Sequence, residues 1–384
     1  MTIRLYDTDS HCSEFEAEVL SCTTKEGKIE AVLDRTAFFP EGGGQKSDTG
    51  TLGAAQVLGV IERDGEVIHI LSEEIPAGAR VKGVLDYEQR FARMQNHSGE
   101  HIFSGLVHSR YGYDNVGFHL GDGEVTIDFS GPLTREQVEE VETEANRVVT
   151  ANLPIEVFYP SAEEAAALPY RSKKEIGSSL RLVRIPGVDL CACCAPHVER
   201  TGEIGLIHIT RVENYKGGTR LTMLAGSWAL ADYQRKENDA AAVSEALSAP
   251  RESLMPAVAR LMEQEAAGRN EIYELWKQVV ALKLAGLKSE GRAVLLYENG
   301  MPSWAVRQYV NDAVAKLGGL VLAVFREKGS LRYIIGAGEG EDAKALGGKL
   351  NERFRGKGGG NAKMVQGSFG SEPAEAEIRA WLAE

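Results

Sequence analysis

Gln95-Asn96-His97-Ser98-Gly99-Glu100-His101 and Cys193-Cys194-Ala195-Pro196-His197 are the two stretches around which the rest of the chain is organised. The first lies in a run that reads as a helix. There, two imidazoles four residues apart sit one above the other on a single face. The second puts a thiol and an imidazole in a short turn containing proline. Together His97, His101, Cys193 and His197 make a nitrogen and sulfur set suited to one Zn²⁺. About ninety residues separate the pairs, so only a preformed fold could join them, unlike a zinc finger, whose close ligand pairs bracket a short loop. Such a set offers a closed tetrahedron or three ligands and an open position. Zinc in it could activate water, polarise an ester carbonyl or orient a substrate. Cys193 is preferred as the ligand because its spacing to His197 suits a turn that aims both side chains inward; Cys191 and Cys194 are alternative ligands or packing residues.

Around the first stretch, Asp86 caps a helix expected to run to about Arg110 and stop before Gly112. Phe91, Met94, Ile102, Phe103 and Leu106 supply its apolar face. His108 lies seven residues beyond His101, about 10 Å along the axis, and reads as structural. His119 falls in an expected glycine-rich bend over 117–121, ranked below the other His as a pocket residue.

Upstream, residues 1–86 are mainly β. The short runs 31–33, 55–60 and 66–71, separated by Gly and Asp turns, suggest a small barrel. Within it, Thr36 precedes Gly42-Gly43-Gly44-Gln45. Three glycines either let the backbone approach a ligand or make a tight hairpin, and the lysine of a P-loop is missing. Downstream of the helix, Thr134 is an expected N-cap and strands alternate with helices to about 228, an α+β region with a mostly antiparallel sheet. Residues 229–289 lose glycine and read as a helical hairpin or coiled-coil linker split at Pro250 and Pro256; a rigid arm and a dimer contact both fit. Residues 290–384 alternate strand and helix as an α/β domain. Lys349, Arg353, Arg355, Lys357 and Lys363 cluster around a glycine-rich loop over 356–368, either a phosphate-binding patch or a solvated helix face.

The bulk properties narrow the class. The 384 residues are 43% hydrophobic and 26% charged, an ordinary globular balance that predicts more than one domain. No apolar run approaches the roughly 20 residues of a membrane span, and residues 1–10 hold no apolar signal core, so no membrane partner is expected. Five cysteines, three of them at 191, 193 and 194, suit a reducing cytoplasm and a metal or thiol role more than a disulfide framework. A net charge of −13 argues against a general polyanion binder and leaves room for a local basic patch.

These residues resemble the alanyl-tRNA editing proteins of the AlaX type, long form, which are similar to the editing and C-terminal domains of alanyl-tRNA synthetase. The family carries an H-x-x-x-H helix, a C-x-x-x-H turn followed by T-G-E-I-G, and a threonine ahead of a G-G-Q loop. Here these are His97 and His101, Cys193 and His197, Thr201 to Gly205, and Thr36 with Gly43, Gly44 and Gln45. The match covers roughly 1–228. Residues 290–384 resemble the DHH-associated domain more loosely, with Gly358 to Gly360 as its loop. The turn reads Cys-Cys-Ala-Pro-His where the synthetase commonly has Cys-Gly-Gly-Thr-His, and the helix His-Ser-Gly-Glu-His where it has His-Thr-Ala-Thr-His; the ligands survive both changes.

The resemblance implies a zinc-dependent hydrolase that deacylates tRNA(Ala) mischarged with serine foremost and glycine second. Alanine's pocket cannot strongly reject either by binding alone, so a second hydrolytic site is useful. It implies Thr36 and Gln45 in the catalytic pocket, with Thr36 reading the serine hydroxyl. Gly43, Gly44, Ser98, Thr201 and Gly202 would line the substrate, and Lys357, Gly359 and Lys363 would meet the tRNA. A homodimer through the arm or the C-terminal domain is a further expectation. Nucleotide and ATP binding come with the ligase likeness, although no stretch reads as an adenylate-forming domain. The competing readings are a tRNA-binding protein with structural zinc and a zinc hydrolase of a small ester or amide.

Overall fold

The longest strand is Glu14–Lys25, in which alternate residues Phe15, Ala17 and Val19 are buried and their neighbours exposed. That period of two is the mark of a strand with one face in a core. In the computed structural model, which describes residues 2–172, 180–288 and 293–384, this strand opens a closed six-stranded barrel. Going round, the strands are Glu14–Lys25, Lys28–Leu33, Glu66–Leu71, Ala55–Arg63, Gly50–Leu52 and Arg80–Leu85, all paired antiparallel. Closure removes sheet edges and buries Val19, Leu33, Phe38, Leu52 and Val67 inside.

The chain divides into two compact units, Met1–Ala242 and Val243–Glu384. Besides the barrel, the first unit holds a four-stranded antiparallel sheet in the order Ile207–Tyr215, Gly218–Ala225, Val125–Phe129, Asn115–Leu120. Helices Tyr87–Tyr111 and Arg135–Thr150 share its core, joining Met94, Ile102, Phe103 and Val141 to Ile127, Leu221 and Met223. A three-stranded sheet, Glu156–Phe158, Leu182–Ile185, Asp189–Ala192, leads into the cysteine turn.

The caps behave as local chemistry dictates. Asp86 accepts from Gln89 N–H, Gly112 ends its helix at φ 69°, and Thr134 and Gln137 form a reciprocal capping box. The expected bend over 117–121 is instead mostly strand: Asn115–Leu120 pairs with Val125–Phe129, because a Cβ at Gly117 would crowd the Asp128 carboxylate at 2.7 Å and glycine avoids this.

In the second unit the sheet order is Ala293–Glu298, Leu320–Glu327, Ser330–Ala337, Met364–Ser368, Lys357–Gly360, and only the first pair is parallel. Separate apolar clusters form around Val306 and Val310 and around Leu322 and Leu350. Two expectations change here. The loop over 356–368 contains an edge hairpin of two strands. Pro256 does not break a helix: it sits in the first turn of Leu254–Gly286, where its missing N–H is one of the orphans, and the break lies at Pro250. The expected junction at 289/290 lies outside the described residues. No described helix is long and apolar enough to cross a membrane.

Candidate metal centre

His97 and His101 project from the middle of helix Tyr87–Tyr111, which is buried continuously from Ala92 to Gly105. The neighbouring chain comes close because Gly105 has no side chain; a Cβ there would lie 2.6 Å from the carbonyl oxygen of Val188. This approach brings Asp189 to His101. Asp189 and Cys191 lie on the strand Asp189–Ala192, and Cys193 follows it. The turn after the strand is held by Arg181, whose Nη1 donates to Cys193 O at 2.8 Å and Ala195 O at 3.0 Å.

The ligand atoms of His97, His101, Cys193 and His197 all lie within 4.8 Å of one another. The three imidazole centroids are 4.6 to 5.5 Å apart. Cys193 Sγ lies 3.6 Å from His97 Nε2 and 3.3 Å from His197 Nε2. A tetrahedral zinc, about 2.3 Å from sulfur and about 2.05 Å from nitrogen, would set such pairs about 3.5 Å apart. The outer nitrogens are all engaged: His97 Nδ1 by Gln45 Oε1 at 2.9 Å, His101 Nδ1 by Asp189 Oδ2 at 3.0 Å, His197 Nδ1 by Ser98 Oγ at 3.0 Å. With the proton on each Nδ1, each Nε2 lone pair points inward, which is how outer partners prepare histidine for a metal. The residues therefore fit a zinc ion.

Electrostatics support the same set. Burial raises the Cys193 thiol, but the surrounding histidines outweigh it and hold the thiol well below its ordinary value, favouring thiolate. Burial lowers His197 to about 3, leaving it neutral and able to ligate. For His101, burial works downward, yet the hydrogen bond to Asp189 wins and raises it. Proton and metal thus compete for one nitrogen, as they do at any histidine ligand. Asp189 is lowered: burial would raise it, and the bonds to His101 and Arg171 prevail.

The glycine loop reaches this cluster from the barrel. Gly43 and Gly44 have φ of 60° and 85°, and a Cβ on Gly44 would lie 2.7 Å from Phe118 O. Gly44 O accepts from Leu120 N–H at 2.8 Å, and the next residue is Gln45. The loop is clamped by Arg90, two turns before His97 on the same helix. Arg90 bonds Asp48 and Ala37 O, and Asp48 accepts from Phe39 N–H. Gln45 Nε2 is buried and has no hydrogen-bond partner among the described residues.

Other expected residues have different duties. Ser98 sits behind His197, whose Nδ1 lies 3.0 Å from its Oγ, and also accepts from Val198 N–H. Thr201 is fully buried, donates to Val148 O and accepts from Leu153 N–H, bracing the end of helix Arg135–Thr150. At Gly202 a Cβ would meet Asn152 Oδ1 at 2.6 Å, so this glycine is a packing requirement. Thr36 ends the short strand Arg35–Thr36, which pairs with Ile3–Arg4 outside the barrel strands; its Oγ1 is 2.8 Å from His69 Nε2 and accepts from Phe38 N–H. Burial depresses His69 to about 4, so it is neutral. Sequence reasoning missed His69, Asp189 and Arg181; the alternation of Val67 and His69 was the available signal for the first. Cys191 falls with His101 and Asp189, while Cys194 is exposed and not in the cluster. Lys357, Gly359 and Lys363 lie exposed in the second unit, on the edge hairpin.

Residues 180–222 match the family model described as the threonyl and alanyl tRNA synthetase second additional domain. The chain is 28% identical to the alanyl-tRNA editing protein AlaX-L of Pyrococcus horikoshii, covering 98% of this chain and 96% of that one. It is also 28% identical to the alanyl-tRNA editing protein Aarsd1 of Mus musculus, covering 99% and 97%. Against the alanine–tRNA ligase of Methanoregula boonei it is 31% identical over 95% of this chain, but spans only 41% of the ligase.

Proposed function

We propose that this chain, a relative of the alanyl-tRNA editing proteins along nearly its whole length, is an aminoacyl-tRNA deacylase. It hydrolyses the ester of mischarged tRNA(Ala), seryl foremost and glycyl second. The observation that carries this reading is the convergence of His97, His101, Cys193 and His197, each imidazole steadied from behind. A zinc ion held by these four would supply Lewis acidity and orientation at the ester. The chain's own groups do the rest. Gln45 fixes His97 through its carbonyl and keeps a buried amide N–H free to donate to the ester carbonyl oxygen as charge builds there.

Thr36 is the hydroxyl reader in this proposal. With His69 Nδ1–H facing Ala31 O, Thr36 donates to His69 Nε2, accepts from Phe38 N–H and keeps one acceptor lone pair, which a seryl hydroxyl could use. Alanyl ester lacks that donor, and a site built for a hydroxyl discriminates against its absence. The proposed organisation has a barrel over 1–86, an editing domain over 87–228, a helical arm over 229–289 and a DHH-associated domain over 290–384. The last would grip tRNA by phosphate contacts through Lys357, Lys363 and the backbone at Gly359. The exposed Leu261, Ile272, Leu275 and Leu282 support the arm as a homodimer contact.

The test is hydrolysis of Ser-tRNA(Ala), with Ala-tRNA(Ala) and Ser-tRNA(Ser) in parallel, before chelation, after it and after zinc is restored. The proposal expects selective loss of Ser-tRNA(Ala) that stops with the chelator and returns with zinc. Absence of hydrolysis by folded, zinc-loaded protein would overturn it. A folded His101→Ala variant that keeps zinc and full activity would sink the site assignment.

A further inference from the structure

Beside the cysteine turn lies a small cavity of about 150 Å³, lined by Arg4, Tyr6, Asp7, Glu62, Arg181 and Cys194 among others. It adjoins the metal cluster: Tyr6, Phe39 and Ala195 form one apolar contact group against which Cys193 packs. Its volume is below the roughly 300 Å³ at which drug-sized sites begin, so it suits a group the size of an amino-acid head and excludes a nucleoside.

Two polar atoms here lack hydrogen-bond partners among the described residues. The Tyr6 hydroxyl, on a residue 2% exposed, and Arg181 Nε, on a residue 8% exposed, are buried without hydrogen-bond partners among the described residues. Unpaired buried donors are costly, and in native proteins they call for an explanation such as a ligand. Arg181 already spends Nη1 on the turn's carbonyls, and its Nε forms an ion pair with Asp7 Oδ1 at 3.9 Å, too long for a hydrogen bond. Arg4 is closed by Glu62 at 2.7 Å. Asp7 takes a bond from the Tyr159 hydroxyl, and a carboxylate has further acceptor positions. With Glu41 also lining the cavity, three carboxylates face two guanidiniums, which favours a cation. A free amino acid would bring its own carboxylate into that field. An aminoacyl ester would not: it is a small head with one ammonium and neutral oxygens.

We infer that this cavity receives the amino end of the substrate's aminoacyl head, with its α-ammonium on the Asp7 carboxylate beside the Tyr6 hydroxyl. The assignment rests on the deacylase reading and specifies which groups hold the amino acid in it.

The test compares Ser-tRNA(Ala) with N-acetyl-Ser-tRNA(Ala), which lacks the positive charge. The charge also activates the ester electronically, so the ratio of kcat/KM values is compared between enzymes, where that contribution cancels. The inference expects the ratio to fall at least fivefold in Asp7→Asn and to be largely kept in Asp7→Glu, with thermal melts showing both variants folded. An unchanged ratio in Asp7→Asn would overturn the cavity assignment while leaving the deacylase standing. If wild-type protein hydrolyses neither ester, the deacylase reading falls, and ligand-observed NMR with L-serinamide and N-acetyl-L-serinamide decides the cavity. Binding of the amine alone, lost in Asp7→Asn, would uphold an ammonium site; equal behaviour of both probes or both proteins would remove it.

Discussion

The chain contains the tripeptide Gly-Gly-Gly twice in regions of functional interest, at 42–44 and at 358–360, and the two copies use glycine for different reasons. In the first, Gly43 and Gly44 adopt positive φ, turning the chain so that Gln45 meets His97. In the second, the three residues form an extended edge strand with no positive φ. There the need is for volume: a Cβ on Gly358 would lie 2.2 Å from the Tyr333 hydroxyl, and one on Gly360 would lie 2.1 Å from Met364 O. The same letters therefore mean conformational freedom in one place and close packing in the other. A run of glycine predicts that something is special about the backbone without saying which of the two it is.

The largest expected contrast comes from acid. His69, beside the threonine that precedes the first glycine run, is unprotonated in the fold and has its pKa depressed from an ordinary 6.5 to about 4. Unfolded chain takes up that proton first, so the stability His69 confers is complete above about pH 6.5 and is lost as pH falls toward 4. The loss amounts to about 3 kcal/mol at most. Denaturant melts of wild type and His69→Gln across this window should converge as the pH drops. Parallel curves would remove His69 as the cause.

A smaller effect, confined to the first glycine run, comes from Gln45→Ala. It deletes the outer partner of His97, and such losses at a metal ligand typically cost 10- to 100-fold in metal affinity or activity. Zinc competition titration checks this, and an unchanged affinity would separate the loop from the metal centre. In the second run, Gly358→Ala should destabilise its unit by about 1–3 kcal/mol through overpacking, whereas Gly359→Ala, with nothing within 4 Å of its added methyl, should be near neutral. Equal melting temperatures for the two variants would show that close packing is not what the second run needs glycine for. Smallest of all, a Lys357→Ala, Lys363→Ala double variant should leave the melt untouched. It should reduce the slope of tRNA affinity against salt by about 0.7 to 0.9 for each phosphate contact removed.

Much of the local architecture is legible in single residues. Asp86, Gly112 and Thr134 mark helix ends because a cap satisfies orphan backbone groups within one turn of itself. The i, i+4 spacing put His97 and His101 on one face for the same short-range reason. Less visible were partners that act across the fold. Asp189 follows an unremarkable Gly187-Val188 pair, and nothing near it in sequence announces that Gly105 clears a path to His101. Thr201 shows the opposite failure: a motif residue whose hydroxyl turns out to be consumed by two backbone groups.

Sequence alone therefore determined the histidines of the candidate metal centre, the helix that carries two of them and the β character of the first 86 residues, since spacing and propensity act over one or two turns. Tertiary structure decided which of three clustered cysteines joins the histidines. Alternation along Asp189–Ala192 puts Cys191 beside Asp189 and His101, and the Arg181-held turn that follows carries Cys193 inward and leaves Cys194 outside. It also decided which glycines bend and which make room, because those outcomes depend on atoms brought into contact from distant parts of the chain.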